Sequence, residues 1–206
     1  TRFQVQFVIR PQTEEFHDYR GYAGEIVSGI YKKGDRIKVL PQNIETTISK
    51  VETGGKEVDE VFPPQPAVIH IKDDIDISRG DYFVQVDQIP RVENEFQALV
   101  CWMDQKELVA GNKYFLQHRS KLIKAIVKEI DYKIDVNSLK ETLTDSVKLN
   151  EIVRVTIKTA SPLVFDSFDK NKGTGSAILI DETIVGTIME KARAFKKIKK
   201  YKEAIE

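Results

Sequence analysis

Short apolar and polar alternations, each closed within a few residues by Gly, Pro, Asn or Asp, constrain this chain more than any other feature. Phe3, Val5, Phe7 and Ile9 alternate with Gln4, Gln6 and Arg10. A period of two is that of a strand with one buried face, so the chain opens as β and these four apolar residues are expected to face one core. Similar alternations recur at residues 36–40, 46–51, 68–71 and 82–86, separated by turn-forming residues. Gly29 and Gly34 flank Ile30-Tyr31-Lys32-Lys33 as corners, where a tight reversal needs backbone conformations that a side chain makes costly.

Residues 87–95 are polar and contain Pro90, which cannot donate to a central ladder, so a linker is expected there. Beyond it Phe96, Ala98, Val100 and Trp102 share a face, and strand candidates follow at 113–118, 122–130, 152–158, 177–180 and 184–189. Residues 138–143 could form one helical turn. Many short strands with no long helix predict closed barrels, since closure removes exposed edges. From residue 190 the period changes. Ala192, Phe195, Ile198, Tyr201 and Ile205 recur at helical spacing among lysines, predicting a basic amphipathic helix that is marginal unless its apolar stripe packs. Three readings stay open for it: a solvated terminal helix, a docking or interdomain helix, or a membrane or nucleic-acid segment, against which its interspersed glutamates count. The expected fold is all-β: a barrel over 1–90, a second over 91–189, and a short helical tail over 190–206.

Thirty-two basic residues balance thirty-two acidic ones. That balance argues against the broad positive field that holds nucleic acid or anionic lipid. The longest apolar run, from Ala98 to Met103, is far short of a membrane span. The single cysteine, Cys101, cannot form an intrachain disulfide, which fits a reducing cytoplasm. Cys101 lies in an apolar strand and is expected in the core. Thr1 already sits inside a strand pattern, so the chain reads as a piece of something longer.

Catalytic and ligand motifs are scarce. No G-x-x-x-x-G-K-[ST] phosphate cradle occurs. Lys172-Gly173-Thr174-Gly175-Ser176 is glycine-rich, but a strand-like run follows it where a phosphate loop needs a helix, so it reads as a plain loop. Asn171-Lys172 fails as a guanine-reading motif because Thr174 stands where the ring-binding Asp belongs. His17, His70 and His118 are far apart, and no metal-ligand spacing surrounds Cys101. Arg79-Gly80-Asp81 reads as a turn into Tyr82.

The run Asp18-Tyr19-Arg20-Gly21-Tyr22-Ala23-Gly24-Glu25-Ile26-Val27-Ser28-Gly29, continued through Lys32-Lys33-Gly34-Asp35-Arg36-Ile37-Lys38-Val39-Leu40-Pro41, resembles the second, β-barrel domain of translation-factor-type GTPases. Arg10-Pro11-Gln12-Thr13, the stretch 73–81 and Val100-Cys101-Trp102-Met103-Asp104 narrow the resemblance to the large, GTP-binding subunit of bacterial heterodimeric ATP sulfurylase. Ala110-Gly111-Asn112-Lys113-Tyr114, Lys158-Thr159-Ala160-Ser161-Pro162-Leu163 and the strand at 177–182 carry it to about residue 189.

This resemblance implies an enzyme that joins sulfate to ATP, giving adenosine 5′-phosphosulfate and pyrophosphate, driven by GTP hydrolysis. It implies that the chain holds no catalytic or cofactor residue, with GTP and magnesium bound in a GTPase domain outside it. The implied partners are the small catalytic subunit and that GTPase domain. In some relatives an adenosine-phosphosulfate kinase domain follows, and the tail could connect to it. The rival implied by the shared architecture is the RNA-binding barrels of a translation elongation factor. Exposed aromatic and Arg residues on loops often anchor interfaces. His17, Asp18, Tyr19 and Arg20, and Phe165, Asp166 and Phe168, are therefore the expected partner-binding residues, with structural burial as the other reading.

Overall fold

The computed structural model describes residues 1–11 and 19–181. Every regular element among them is a strand. The first nine are β1 (Arg2–Ile9), β2 (Gly21–Ser28), β3 (Tyr31–Lys32), β4 (Arg36–Leu40), β5 (Ile44–Thr53), β6 (Lys56–Glu57), β7 (Glu60–Val61), β8 (Pro66–Ile71) and β9 (Tyr82–Gln85). Hydrogen bonding runs β4-β9-β1-β2-β8-β5 and returns from β5 to β4, so six strands close a barrel with β6 appended to β5. Phe3, Val5, Tyr22, Ile26, Tyr31, Ile37, Val39, Ile48, Val51, Ile69 and Phe83 fill its interior. Inside it Phe83 packs against the rings of Phe3, 5.5 Å between centroids, and Tyr22, 5.4 Å. Closure leaves no open edge among the six barrel strands.

The alternation in β1 breaks where the sequence alone implies it continues. Phe3 and Val5 are buried, but Phe7 is 65% exposed. The register against β2 shifts between Val5 and Phe7. This irregularity turns Phe7 outward and lets Val8 pack on the core instead. Gln4, polar by type, is buried because its amide oxygen accepts hydrogen bonds from the backbone N–H of Ser120 at 3.2 Å and its hydroxyl at 2.9 Å.

The remaining strands are β10 (Arg91–Cys101), β11 (Leu108–Val109), β12 (Lys113–His118), β13 (Lys121–Ile134), β14 (Glu141–Thr142), β15 (Ser146–Val147), β16 (Ile152–Phe165) and β17 (Ile178–Asp181). Their main sheet has the order β10-β16-β13-β12-β17, with β14 beside β13. Among the described residues this sheet ends at β10 and β17. The expected strand at 184–189 and the helix over 190–206 lie outside the described residues.

Two local expectations change. β10 starts at Arg91, so the end of the expected linker is strand; Val92 packs on the cluster of Leu40, Tyr82, Val84 and Val164, giving an apolar reason for order there. The 138–143 stretch is a turn followed by β14, not a helical turn. Asp135 holds it by accepting hydrogen bonds from the backbone N–H groups of Asn137 at 3.0 Å and Ser138 at 2.8 Å.

By packing, the chain forms two compact units. One is Thr1–Glu93 with His118–Lys121 and Pro162–Ala177; the other is Asn94–Gln117, Leu122–Ser161 and the stretch from Ile178. The first unit thus includes a turn and a loop drawn from the second half of the sequence.

Candidate functional site

Tyr19 and Arg20 lead into β2. A Cβ at Gly21 would sit 2.6 Å from Val68 Cγ1, so the chain enters β2 tight against β8. The Tyr19 ring stands edge-on to His70, 4.9 Å between centroids, and its hydroxyl donates to Glu52 Oε2 at 3.2 Å. Glu52 is buried, faces His70 Nε2 at 3.4 Å and pairs with Lys50. Burial alone would raise the Glu52 carboxyl, but Lys50 and His70 outweigh it and hold it below the usual carboxylate value. Arg20 pairs with Asp74, donates to Ile75 O at 2.6 Å and lies over the Tyr22 ring at 5.6 Å. Both side chains are therefore bound within the fold while bordering a shallow depression of about 450 Å³ lined also by Arg10, Lys72 and Asp73. The mixed charge of that rim suits a polar protein surface better than a phosphate backbone. His17 and Asp18 lie outside the described residues.

Asp166 belongs to a different place. Arg2 donates to it twice, Nε to Oδ2 at 2.8 Å and Nη2 to Oδ1 at 2.7 Å, and the Thr174 hydroxyl donates to Oδ2 at 2.6 Å. The two charged side chains are about one-tenth exposed, at 11% and 9%. Burial would raise the Asp166 carboxyl, and these donors instead hold it below its ordinary value. Asp166 is thus a structural anchor, and Phe165 is half-buried at the end of β16. Phe168 is 52% exposed, with the Lys172 ammonium 5.9 Å above its ring, and it fits the expected contact role best of the three.

The two expected contact stretches do not form one patch. Asn171 Nδ2 donates to Ser28 Oγ at 3.4 Å, which places the 166–176 loop at the exit of β2, whereas Tyr19 and Arg20 stand at its entrance. An extended strand of that length separates them by roughly 25 Å.

The Lys172-Gly173-Thr174-Gly175-Ser176 segment is a loop, in keeping with its sequence. Asn171 Oδ1 accepts from the backbone N–H of Gly173 at 3.0 Å and Thr174 at 3.3 Å, so those donors face a side chain of the protein's own. Sequence reasoning missed what this loop organises: Thr174 is fully buried, and its carbonyl oxygen lies 2.9 Å from Nε2 of buried His118. Among the described residues no group of three or more His, Cys, Asp or Glu could hold a metal ion. Cys101, expected in the core, is exposed. Trp102 beside it is buried, its indole N–H donating to Lys106 O at 2.7 Å and its ring edge-on to Tyr114.

Comparison with known proteins places this geometry in a family context. Residues 95–189 match the family model "GTP-eEF1A C-terminal domain-like". The chain is 42% identical over 189 residues to the bifunctional enzyme CysN/CysC of Mycobacterium tuberculosis, an alignment spanning 91% of this chain and 31% of that protein. It is 38% identical over 180 residues to sulfate adenylyltransferase subunit 1 of Bacteroides fragilis, spanning 87% of this chain and 37% of that one. The chain thus spans about a third of the length of these curated relatives. Among solved structures, sup35 complexed with GMPPNP superposes with a TM-score of 0.75 at 13% identity, covering 88% of this chain and 44% of that one. Apo translation elongation factor SelB of Methanococcus maripaludis gives 0.63 at 18% identity, covering 88% and 42%. At such identities these two establish a shared fold alone.

Proposed function

We propose that this chain, a homologue of sulfate adenylyltransferase subunit 1 within the translation-factor-type GTPase superfamily, is a non-catalytic β region that couples GTP hydrolysis to adenosine 5′-phosphosulfate synthesis. The observation that carries this reading is the 42% identity running through 189 residues, which include strands of both compact units. In this reading GTP and magnesium bind in a GTPase domain outside these residues, and the adenylyl transfer belongs to a separate small subunit in the cytosol. The barrels act as a relay. They hold the small subunit and make contacts with the GTPase domain that differ between its nucleotide states, since only differential contacts can transmit coupling. Kinship with a bifunctional enzyme supports a kinase domain as a further neighbour in some relatives.

The rival reading, barrels that hold transfer RNA, is weaker on two counts. Identity to the sup35 and SelB structures is 13% and 18%, and thirty-two positive charges are balanced by thirty-two negative ones. A competition assay tests the proposal. Increasing amounts of this chain, added to an intact sulfate adenylyltransferase, should displace the large subunit and lower the GTP-stimulated rate of adenosine 5′-phosphosulfate formation. An unchanged rate at a large molar excess of the chain would refute it.

A further inference from the structure

Two side chains in the first unit, Tyr82 and His118, are each 1% exposed yet leave a polar atom, Tyr82 Oη and His118 Nδ1, without a hydrogen-bond partner. Their rings lie 6.2 Å apart. His118 ends β12, and its Nε2 is 2.9 Å from the carbonyl oxygen of Thr174. A carbonyl can only accept, so Nε2 carries the proton and Nδ1 is the bare nitrogen of a neutral imidazole.

A second proton on His118 has no place to go. At Nδ1 it would make a buried N–H with no acceptor, and a buried charge without a partner is costly. The charged groups facing the ring are mostly of the wrong sign: Arg119 and Lys121 from its own turn, and Arg2 of β1 nearby through Asp166. The carboxylate within reach, Asp166, is already occupied by two hydrogen bonds from Arg2 and one from Thr174. The face presented by β9 is the Tyr82 ring, which adds no charge to the neutral hydroxyl burial enforces. These burial and charge effects lower the His118 pKa from its ordinary 6.5, burial being the largest.

We propose that His118 is an acid-sensitive latch, whose neutral Nε2–H tautomer fastens the 166–176 loop to the rest of the first unit and whose protonation releases it. The sign follows from linkage. The folded imidazole resists a proton that the released one accepts, so the latch is fully closed above the released-state value and weakens as pH falls below it. One proton makes loop opening up to about tenfold more frequent per pH unit below roughly 6.5. Release would free Asp166 and expose the neighbourhood of Phe168 and Lys172.

The test is amide hydrogen exchange of the full chain between pH 5 and 8, corrected for intrinsic exchange rates. Protection across 168–176 should fall with acid in the wild-type chain and stay flat in His118→Gln, whose amide N–H can still donate to Thr174 O. Equal pH dependence in both proteins, or none in the wild type, overturns the latch. Ring nitrogen chemical shifts of the wild-type chain report independently of any variant. His118 should show the Nε2–H tautomer and take its second proton below the ordinary imidazole value of 6.5; an Nδ1–H tautomer, or protonation near pH 6.5, overturns the proposal.

Discussion

Asp166 shows how a single carboxylate can hold a loop, because three donors converge on it in a site from which water is largely removed. Replacing it with Ala strands the Arg2 guanidinium in that site, and breaking a buried pair in this way costs about 3 kcal/mol or more. Denaturant unfolding of Asp166→Ala should therefore show a clearly lower midpoint, with an unchanged slope if the fold is kept. The pH dependence has a definite direction. The folded Asp166 pKa lies below its ordinary 3.8, so its contribution is fully present above that value and is lost as pH falls through the depressed one. Thermal melts should accordingly show a steeper loss of stability below about pH 4 in the wild type than in Asp166→Asn.

At the scale of elements, backbone approach sets the tolerances. A Cβ on Gly24 of β2 would sit 2.2 Å from the Gln4 carbonyl oxygen of the paired strand, so one strand or the other must move. Gly34 has φ of +93° but open space around it. Gly24→Ala is expected to cost about 3 kcal/mol, at the upper end of overpacking penalties, and Gly34→Ala only about 1 kcal/mol from backbone strain. Equal unfolding midpoints for the two variants would contradict this ranking. For β10, the exposed Cys101 thiol should be labelled by a maleimide in the native chain without denaturant.

The same elements show what the sequence made legible. Strands β4 and β12 match the alternations read from residues 36–40 and 113–118, because local period and buried face agree there. Phe7 was misplaced because a register shift, set by pairing with β2, is invisible in β1 alone. Cys101 was misplaced by residue type, although the period that puts Phe96, Ala98, Val100 and Trp102 on one face assigns it to the other. Of the expected contact residues, Tyr19, Arg20 and Phe168 border solvent, while Asp166 is an anchor whose partner Arg2 lies 164 residues away in sequence. Such a pairing has no local signature.

For the whole molecule, the proposed function puts partner binding on the β units and nucleotide chemistry outside these residues. Thus the chain alone should give no stoichiometric heat with GTP in calorimetry at micromolar concentrations, and a clear binding isotherm would overturn that division. Transfer RNA should not bind near physiological salt, because a balanced charge offers few phosphate contacts. The proposed relay requires this chain to carry a surface for the small subunit of sulfate adenylyltransferase. Units with their own cores keep their surfaces when separated from neighbouring domains. The decisive measurement is sedimentation of the purified chain mixed with that small subunit. A faster-sedimenting complex is expected at micromolar concentration, formed equally with and without GTP and giving no GTP stimulation of adenosine 5′-phosphosulfate synthesis. Two independently sedimenting species at high micromolar concentration would contradict it.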